Sequence, residues 1–437
     1  MLERFFHLKE HGTTINTEIM AGLTTFLTAA YVLAVNPMIL SSTGMPRDAV
    51  FTATALSIII GTMLIALFAN LPFILAPGMG INMYFAYSIV VNQGYTWQEA
   101  LTMVFLAGIL FVMTGAFGLR ELLVRGFPEP LKHAMTVALG LMIATIGMNN
   151  AGLVVIREGF VSLGKVTDIH GGPFLAIIGL IVTGVLLSLN FRGAVLVGII
   201  VTTLIGILTG VTNHSSVTEV GLYSAPPSIE PIAMAFNLDW ARVFTFDFGI
   251  AVMTLLALDI FDSLGTFVGV FNHFSGEQKK VYEARVPRAL LCDAVATVAG
   301  ACLGTSTVTT YVESSAGIAV GGRTGLTSVV SSVFMGAALF ASPLFLMIPA
   351  AATAPALIMV GMYMMGMASK IRFDDVVEGL PVIVMILVTA LTWSISDGLM
   401  FGWLGFVVFK LFSGQTRELN GTVVFVALFF LARLIFM

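Results

Sequence analysis

Three acidic residues lie where the chain is otherwise apolar: Asp259 and Asp262 in AVMTLLALDIFDSLGTFVGVFNH, and Glu313 in TTYVESS. An acid at mid-membrane costs about 2.5 to 3.5 kcal/mol on insertion scales, so each should face a cavity or a partner. Asp259 and Asp262 stand three residues apart and share one helix face. Two carboxylates that close repel when both are ionised, and burial disfavours the charged form, so the spacing predicts a proton site. Glu313, when ionised, offers two acceptor oxygens that can take a pair of parallel N–H donors. The lactam and amino groups of a nucleobase present such a pair; a sugar or a fatty acid does not. Competing readings stay open at this point. Asp259 and Glu313 could be buried against Arg or Lys as structural ion pairs, and Asp262 could bond Ser263, Thr266 or backbone.

The setting of these acids follows from composition. The 437 residues are 58% hydrophobic and only 10% charged, with a mean hydropathy of +1.00. Soluble proteins carry about 25% charged residues, so this chain cannot cover a water-facing surface in the usual way. It reads as an all-α polytopic membrane protein, which excludes a soluble enzyme, a nucleic-acid binder and a disordered chain. A transmembrane β-barrel is excluded too, because runs such as LSIIIGTMLIALF are apolar at every position. The opening MLERFFHLKEHGTTINTE is polar and charged, which argues against a cleavable signal peptide. Cys292 and Cys302 have no metal-type spacing and read as packing residues. No metal site is expected.

Apolar segments fall near 19–38, 49–69, 73–92, 98–118, 131–155, 173–190 and 193–211, then a polar stretch over 212–246. The second set lies near 247–271, 288–303, 305–321, 325–348, 350–369 and 376–394, then 398–412 and 421–436, with the pieces around Trp393 to Lys410 reading as half-length helices. Fourteen segments in two sets of seven imply two halves of opposite orientation, the inverted-repeat plan of many secondary transporters. Lys132, Arg120, Arg125, Arg192, Lys279, Lys280, Arg285, Arg288, Lys370 and Arg372 fall in loops after even segments, which places those loops and the N-terminus in the cytoplasm. Arg47, Arg157 and Lys165 are exceptions on the outer side.

Two segments do not read as ordinary spans. The third, LPFILAPGMGINMYF, holds Pro72, Pro77, Gly78 and Gly80, and the tenth, GTSTVTTYVESSAGIAVGG, is rich in β-branched and small residues. Proline removes a backbone donor, and a Val/Thr/Tyr run favours extended chain. Each is expected to be a short extended piece leading into a half-helix. Broken backbone at membrane depth needs protein or a watery cavity around it, and matched breaks in the two halves point to a transporter's binding site. Asn82 follows the first break and either faces the cavity or bonds backbone within the break. Tyr311, Thr309 and Thr310 either line the site or pair the extended segment. His133 and His273 read as interfacial, Gly108, Gly115 and Gly118 as helix packing, and Asn213-His214-Ser215 fits a glycosylation sequon.

EIMAGLTTFLTAAYVLAVNP, NLPFILAPGMGINMYFAY, LDIFDSLGT and GTSTVTTYVESSAGIAVGGRTGL, in this order, resemble the azaguanine-resistance (AzgA-like) purine permeases of the nucleobase/ascorbate transporter superfamily nearly end to end. The resemblance implies a fold similar to uracil permease. A core domain would come from 1–118 and 247–348, a gate domain from 119–211 and 349–437, with 212–246 an external loop. It implies a ligand between core and gate, Asp259 and Glu313 as principal site acids, and Gly80, Ile81, Asn82, Tyr311, Val312 and Ser314 as neighbours. Uracil permease has a Glu and a His in its eighth segment, where this chain has Asp259 and Ser263, so the proton relay does not transfer in detail and Asp262 stays open. The expected activity is proton-coupled import of a purine nucleobase (adenine, guanine, hypoxanthine or xanthine) by alternating access across the cytoplasmic membrane. The proton, carried by Asp259, Asp262 or Glu313, would be the coupling ion, with no other cofactor; the partners would be the purine and the lipid bilayer, and a homo-oligomer is left open. Two alternatives are an anion or other solute transporter of the same fold, which would want a cation at the breaks, and an intramembrane aspartyl protease, which usually needs its two Asp on separate helices.

Overall fold

The computed structural model describes residues 2–116, 128–157, 160–191, 193–213, 217–218, 221–237, 239–243, 245–271, 281–416, 419 and 421–436. Arg120, Arg125, Gly118, Arg192, His214, Ser215, His273, Lys279 and Lys280 lie outside them.

The apolar runs become helices. In the first half these are α1 (Ile15–Ala29), α2 (Val32–Ser41), α3 (Arg47–Leu64), α4 (Met79–Met83), α5 (Trp97–Ala116), α6 (Glu129–Asn150), α7 (Gly172–Ser188) and α8 (Ala194–Leu208). In the second they are α9 (Phe246–Phe271), α10 (Val286–Leu303), α11 (Ser314–Val320), α12 (Gly325–Leu339), α13 (Ala350–Met365), α14 (Val376–Thr392), α15 (Ile395–Phe412) and α16 (Gly421–Phe436). Among the described residues, eight helical stretches are long and apolar enough to cross a membrane, and five shorter apolar helices accompany them. The protein is a polytopic helical membrane protein.

Between the helices, β1 (Leu75–Pro77) and β4 (Val308–Thr310) pair antiparallel, with Ala76 opposite Thr309. These are the extended pieces expected in the third and tenth segments. Their remaining backbone groups are satisfied locally: Leu75 N–H donates to the Thr62 hydroxyl at 3.0 Å, Ile74 N–H to Ser314 Oγ at 3.0 Å, and Gly78 N–H to the Thr307 carbonyl at 3.1 Å. With no water at this depth, those side chains do what solvent does elsewhere.

The helices pack in two sets. In one, α1 lies against α11 and α12, α3 against α10 and α12, and α5 against α9 and α10. In the other, α6 lies against α13 and α14, α7 against α8 and α13, and α14 against α15. Glu18 is fully buried because it accepts from the N–H groups of Arg323, Thr324 and Thr327, at 2.9, 3.3 and 3.1 Å, and so caps the start of α12.

Three local departures have physical causes. The fifth apolar run, expected to reach residue 155, stops as a helix at Asn150; Gly152 turns left-handed at φ +72°, and β2 (Val154–Arg157) folds back on β3 (Phe160–Leu163). The half-length pieces expected around Trp393 to Lys410 are instead one helix, α15, with 18 residues. α14 and α15 are joined by Trp393 in the left-handed region, which lets one chain reversal serve both. The 212–246 stretch is anchored rather than free, with Ile232 fully buried and Met234 N–H donating to the Cys302 carbonyl at 2.8 Å.

Candidate functional site

The paired strands aim two half-helices, α4 and α11, back to back from the middle of the fold. Around their starts the acids separate into an inner and an outer group.

Asp259 belongs to the inner group. It is 2% exposed, and its Oδ2 accepts from the Thr297 hydroxyl at 2.8 Å, while that hydroxyl accepts from Val308 N–H at 3.2 Å. Its Oδ1 is buried with no hydrogen-bond partner among the described residues. The charges within its reach are Asp262 and, more strongly, Asp293 on α10, which is fully buried and takes the Ser263 hydroxyl and, at 3.4 Å, the Thr310 hydroxyl. Ser263 also bonds Thr309 at 2.7 Å. Asp293 was not singled out from sequence, although it sits in LLCDAVATVAG, an apolar run to which the rule applied to Asp259 applies equally. Asn82 is likewise turned inward. It donates to Asn36 Oδ1 at 2.6 Å and accepts from Ser306, and Asn36 in turn reaches Thr54 at 2.7 Å and Thr305 at 3.1 Å. This ties α2, α3 and both breaks together.

Asp262 and Glu313 form the outer group and lie within each other's electrostatic reach. Asp262, Gly80 and Ile81 make one wall of a small cavity whose other wall is Thr136 and Leu139 of α6 and Met364 of α13. At about 20 Å³ it has room for a water and none for a planar bicyclic ligand. Glu313 precedes α11, and its Oε1 accepts the Tyr31 hydroxyl at 2.8 Å. Val312 beside it is 60% exposed, and Tyr363 of α13, whose hydroxyl feels the Glu313 charge, is 59% exposed. Tyr311 holds the break together, its N–H on the Ile74 carbonyl at 3.0 Å and its hydroxyl on the Pro77 carbonyl. Ser314 does the same through Ile74. Thr309 and Thr310 serve the strand pair and the Asp293 cluster.

Among the described residues, the two buried cations of the helices are paired elsewhere. Arg433 of α16 pairs with Asp247 at 2.8 Å and Asp397 at 3.0 Å, and Lys410 with Glu378 at 3.2 Å. The ion-pair reading of Asp259 and Glu313 therefore has no partner among these residues. A larger cavity of about 320 Å³, lined by His133, Lys370, Glu378 and Phe406, touches none of the site acids.

The Permease family pattern (Xan_ur_permease) matches residues 16–401. The chain is 38% identical over 437 residues to "Adenine permease AdeP" of Escherichia coli, covering 100% of this chain and 96% of that one. It is 40% identical over 436 residues to "Guanine/hypoxanthine permease PbuO" of Bacillus subtilis, covering 98% and 99%. Among solved structures it is similar to the transmembrane domain of the cyanobacterial bicarbonate transporter BicA, with TM-score 0.61 at 16% identity over 89% of this chain and 97% of that one. SLC26A9 gives TM-score 0.61 at 11% identity over 92% and 66%. At such identities these two speak for the fold alone. Broken segments, buried acids, family pattern and full-length relatives agree: the chain belongs to the Permease family, as the AzgA-like character of its motifs implies, and is a membrane transporter and not an enzyme.

Proposed function

We propose that the protein imports purine nucleobases across the cytoplasmic membrane, coupled to protons, by alternating access. The observation that carries this reading is the antiparallel pairing of the two breaks, with Asp262 and the start of α4 set against α6 and α13 and Glu313 within electrostatic reach of Asp262. The first packing set is then the core and the second the gate, with fourteen segments in two inverted sevens and α16 an addition after them. Equivalent elements meeting each other support the repeat: β1 pairs with β4, and α6 crosses α13. The clustering of Glu129, His133, Lys370 and Arg372 around one cavity fits a cytoplasmic face and supports a cytoplasmic N-terminus.

Within that frame Asp262 and Glu313 are the acids that meet substrate, with Gly80 and Ile81 offering backbone, and Asp259 holds the coupling proton. Asp259 has Asp293 within electrostatic reach, and its Oδ1 is buried without a hydrogen-bond partner among the described residues, which leaves that oxygen open to a proton. The names of the full-length relatives, adenine permease and guanine/hypoxanthine permease, support a purine as the substrate class. An anion substrate is disfavoured because the mouth presents carboxylates. The test is uptake of labelled guanine, hypoxanthine and adenine by cells lacking their own purine carriers. Expression of this chain should confer uptake of at least one; bicarbonate uptake with no purine uptake would overturn the reading.

A further inference from the structure

Glu313 occupies the position before the first turn of α11, where an acidic side chain ordinarily turns back onto the helix's free N–H groups, yet it makes no such bond. Its Oε1 is taken instead by the Tyr31 hydroxyl at 2.8 Å. Tyr31 is 2% exposed and lies in the joint between α1 and α2, 282 residues away in sequence. One turn earlier, Thr28 reaches the Glu313 main-chain carbonyl at 3.4 Å. A single turn of the first segment thus grips both the backbone and the carboxylate of the tenth. The phenol occupies one acceptor site on Oε1 and restrains the carboxylate, leaving further lone pairs for a ligand beside the exposed Val312 and Tyr363.

We propose that Tyr31 is the positioning residue for Glu313, and that the pair favours purines carrying two neighbouring N–H donors. The inference rests on the purine-permease reading above. A lactam N–H next to an exocyclic amino group, as on guanine, engages both oxygens of a planar, fixed carboxylate. The amino group of adenine, flanked by ring-nitrogen acceptors, engages one. A carboxylate released from Tyr31 can turn, and the two-point contact suffers more than the one-point contact.

The experiment compares uptake kinetics of guanine and adenine in wild type and Tyr31→Phe, with the ligand-free melting temperature of each purified protein. KM for guanine should rise about tenfold, the scale of a lost charge-assisted hydrogen bond. Vmax and melting temperature should stay near wild type, and the adenine KM should change much less. Tyr31→His, which returns a ring N–H donor, should recover part of the guanine KM, and it carries the test if the Phe variant does not insert. Wild-type guanine KM in Tyr31→Phe, or equal losses for the two purines, would overturn the proposal while leaving the permease reading in place. A wild-type protein that takes up neither purine would bring down both.

Discussion

At the residue scale the acids divide by what they touch. Asp262 lines the mouth and Glu313 lies within its electrostatic reach, whereas Asp259 and Asp293 bond Thr297, Ser263 and Thr310. The two groups should therefore fail differently. Glu313→Gln keeps the shape but loses a charged acceptor, and purine affinity should fall by about ten- to a hundredfold, read as KM or as Kd of the purified protein. Asp259→Asn should leave binding within a few-fold and abolish accumulation against a gradient, since what it removes is the proton and not the ligand contact. Equal loss of binding in both variants would place Asp259 at the mouth after all. Asp259, Asp262 and Glu313 were legible because an acid in an apolar run has few innocent explanations. Tyr31 was not: a tyrosine in a spanning segment is unremarkable until its hydroxyl is seen on a carboxylate 282 residues away. Asn82 was legible as a polar group at the break, but which way it faced depended on Asn36, Thr54 and Thr305, set by tertiary packing.

At the element scale, α6 and α13 cross at a pair of glycines. A Cβ on Gly140 would lie 2.7 Å from the Gly361 carbonyl oxygen, and one on Gly361 would press on the Gly140 carbonyl. Small residues let membrane helices approach where no solvent drives them together. Gly361→Val should force the crossing apart at a cost of about 1 to 3 kcal/mol, visible as a lowered melting temperature in detergent, whereas Gly366→Ala, with open space around it, should not. Gly108 similarly meets Val298 of α10, as its small-residue spacing foretold. A second element-level prediction concerns α16. Arg433 is almost buried between Asp247 and Asp397, so Arg433→Gln should destabilise by a few kcal/mol, below the ~3 to 5 of a wholly buried pair because both acids reach the surface. An unchanged melting temperature would mean that α16 is held by its apolar contacts alone. The breaks were readable from Pro72, Pro77 and the Val/Thr run, because local chemistry decides them. The length of α15 was not, since the stretch around Trp393 to Lys410 reads as half-length pieces until Gly398 and Gly402 are found packed against Thr389 and Met385, and Lys410 against Glu378.

At the scale of the whole molecule, two packing sets meet along a face where, among the described residues, the cavity at Asp262 is about 20 Å³. A purine cannot enter there unless α6 and α13 move relative to α4, α9 and α11, which is the motion alternating access requires. If protons drive it, collapsing the pH gradient with an uncoupler should reduce accumulation of labelled purine severalfold without lowering binding by purified protein; insensitivity would point to another ion or to facilitated diffusion. Class, approximate topology and location of the site followed from composition, charge placement and matched breaks. The division of labour between the acids did not, because it depends on which side of a two-stranded ribbon each carboxylate lies.

The central claim is that a purine binds against Glu313. Thermal stabilisation of the purified protein, measured with guanine, hypoxanthine, adenine, uracil and bicarbonate in wild type and Glu313→Gln, tests it most directly. Ligand at a hundred times Kd stabilises by about 2.7 kcal/mol, enough to move the transition. The account predicts a shift with at least one purine, none with bicarbonate, and loss of the purine shift in Glu313→Gln. A purine shift that survives Glu313→Gln, or a shift with bicarbonate and no purine, would contradict it.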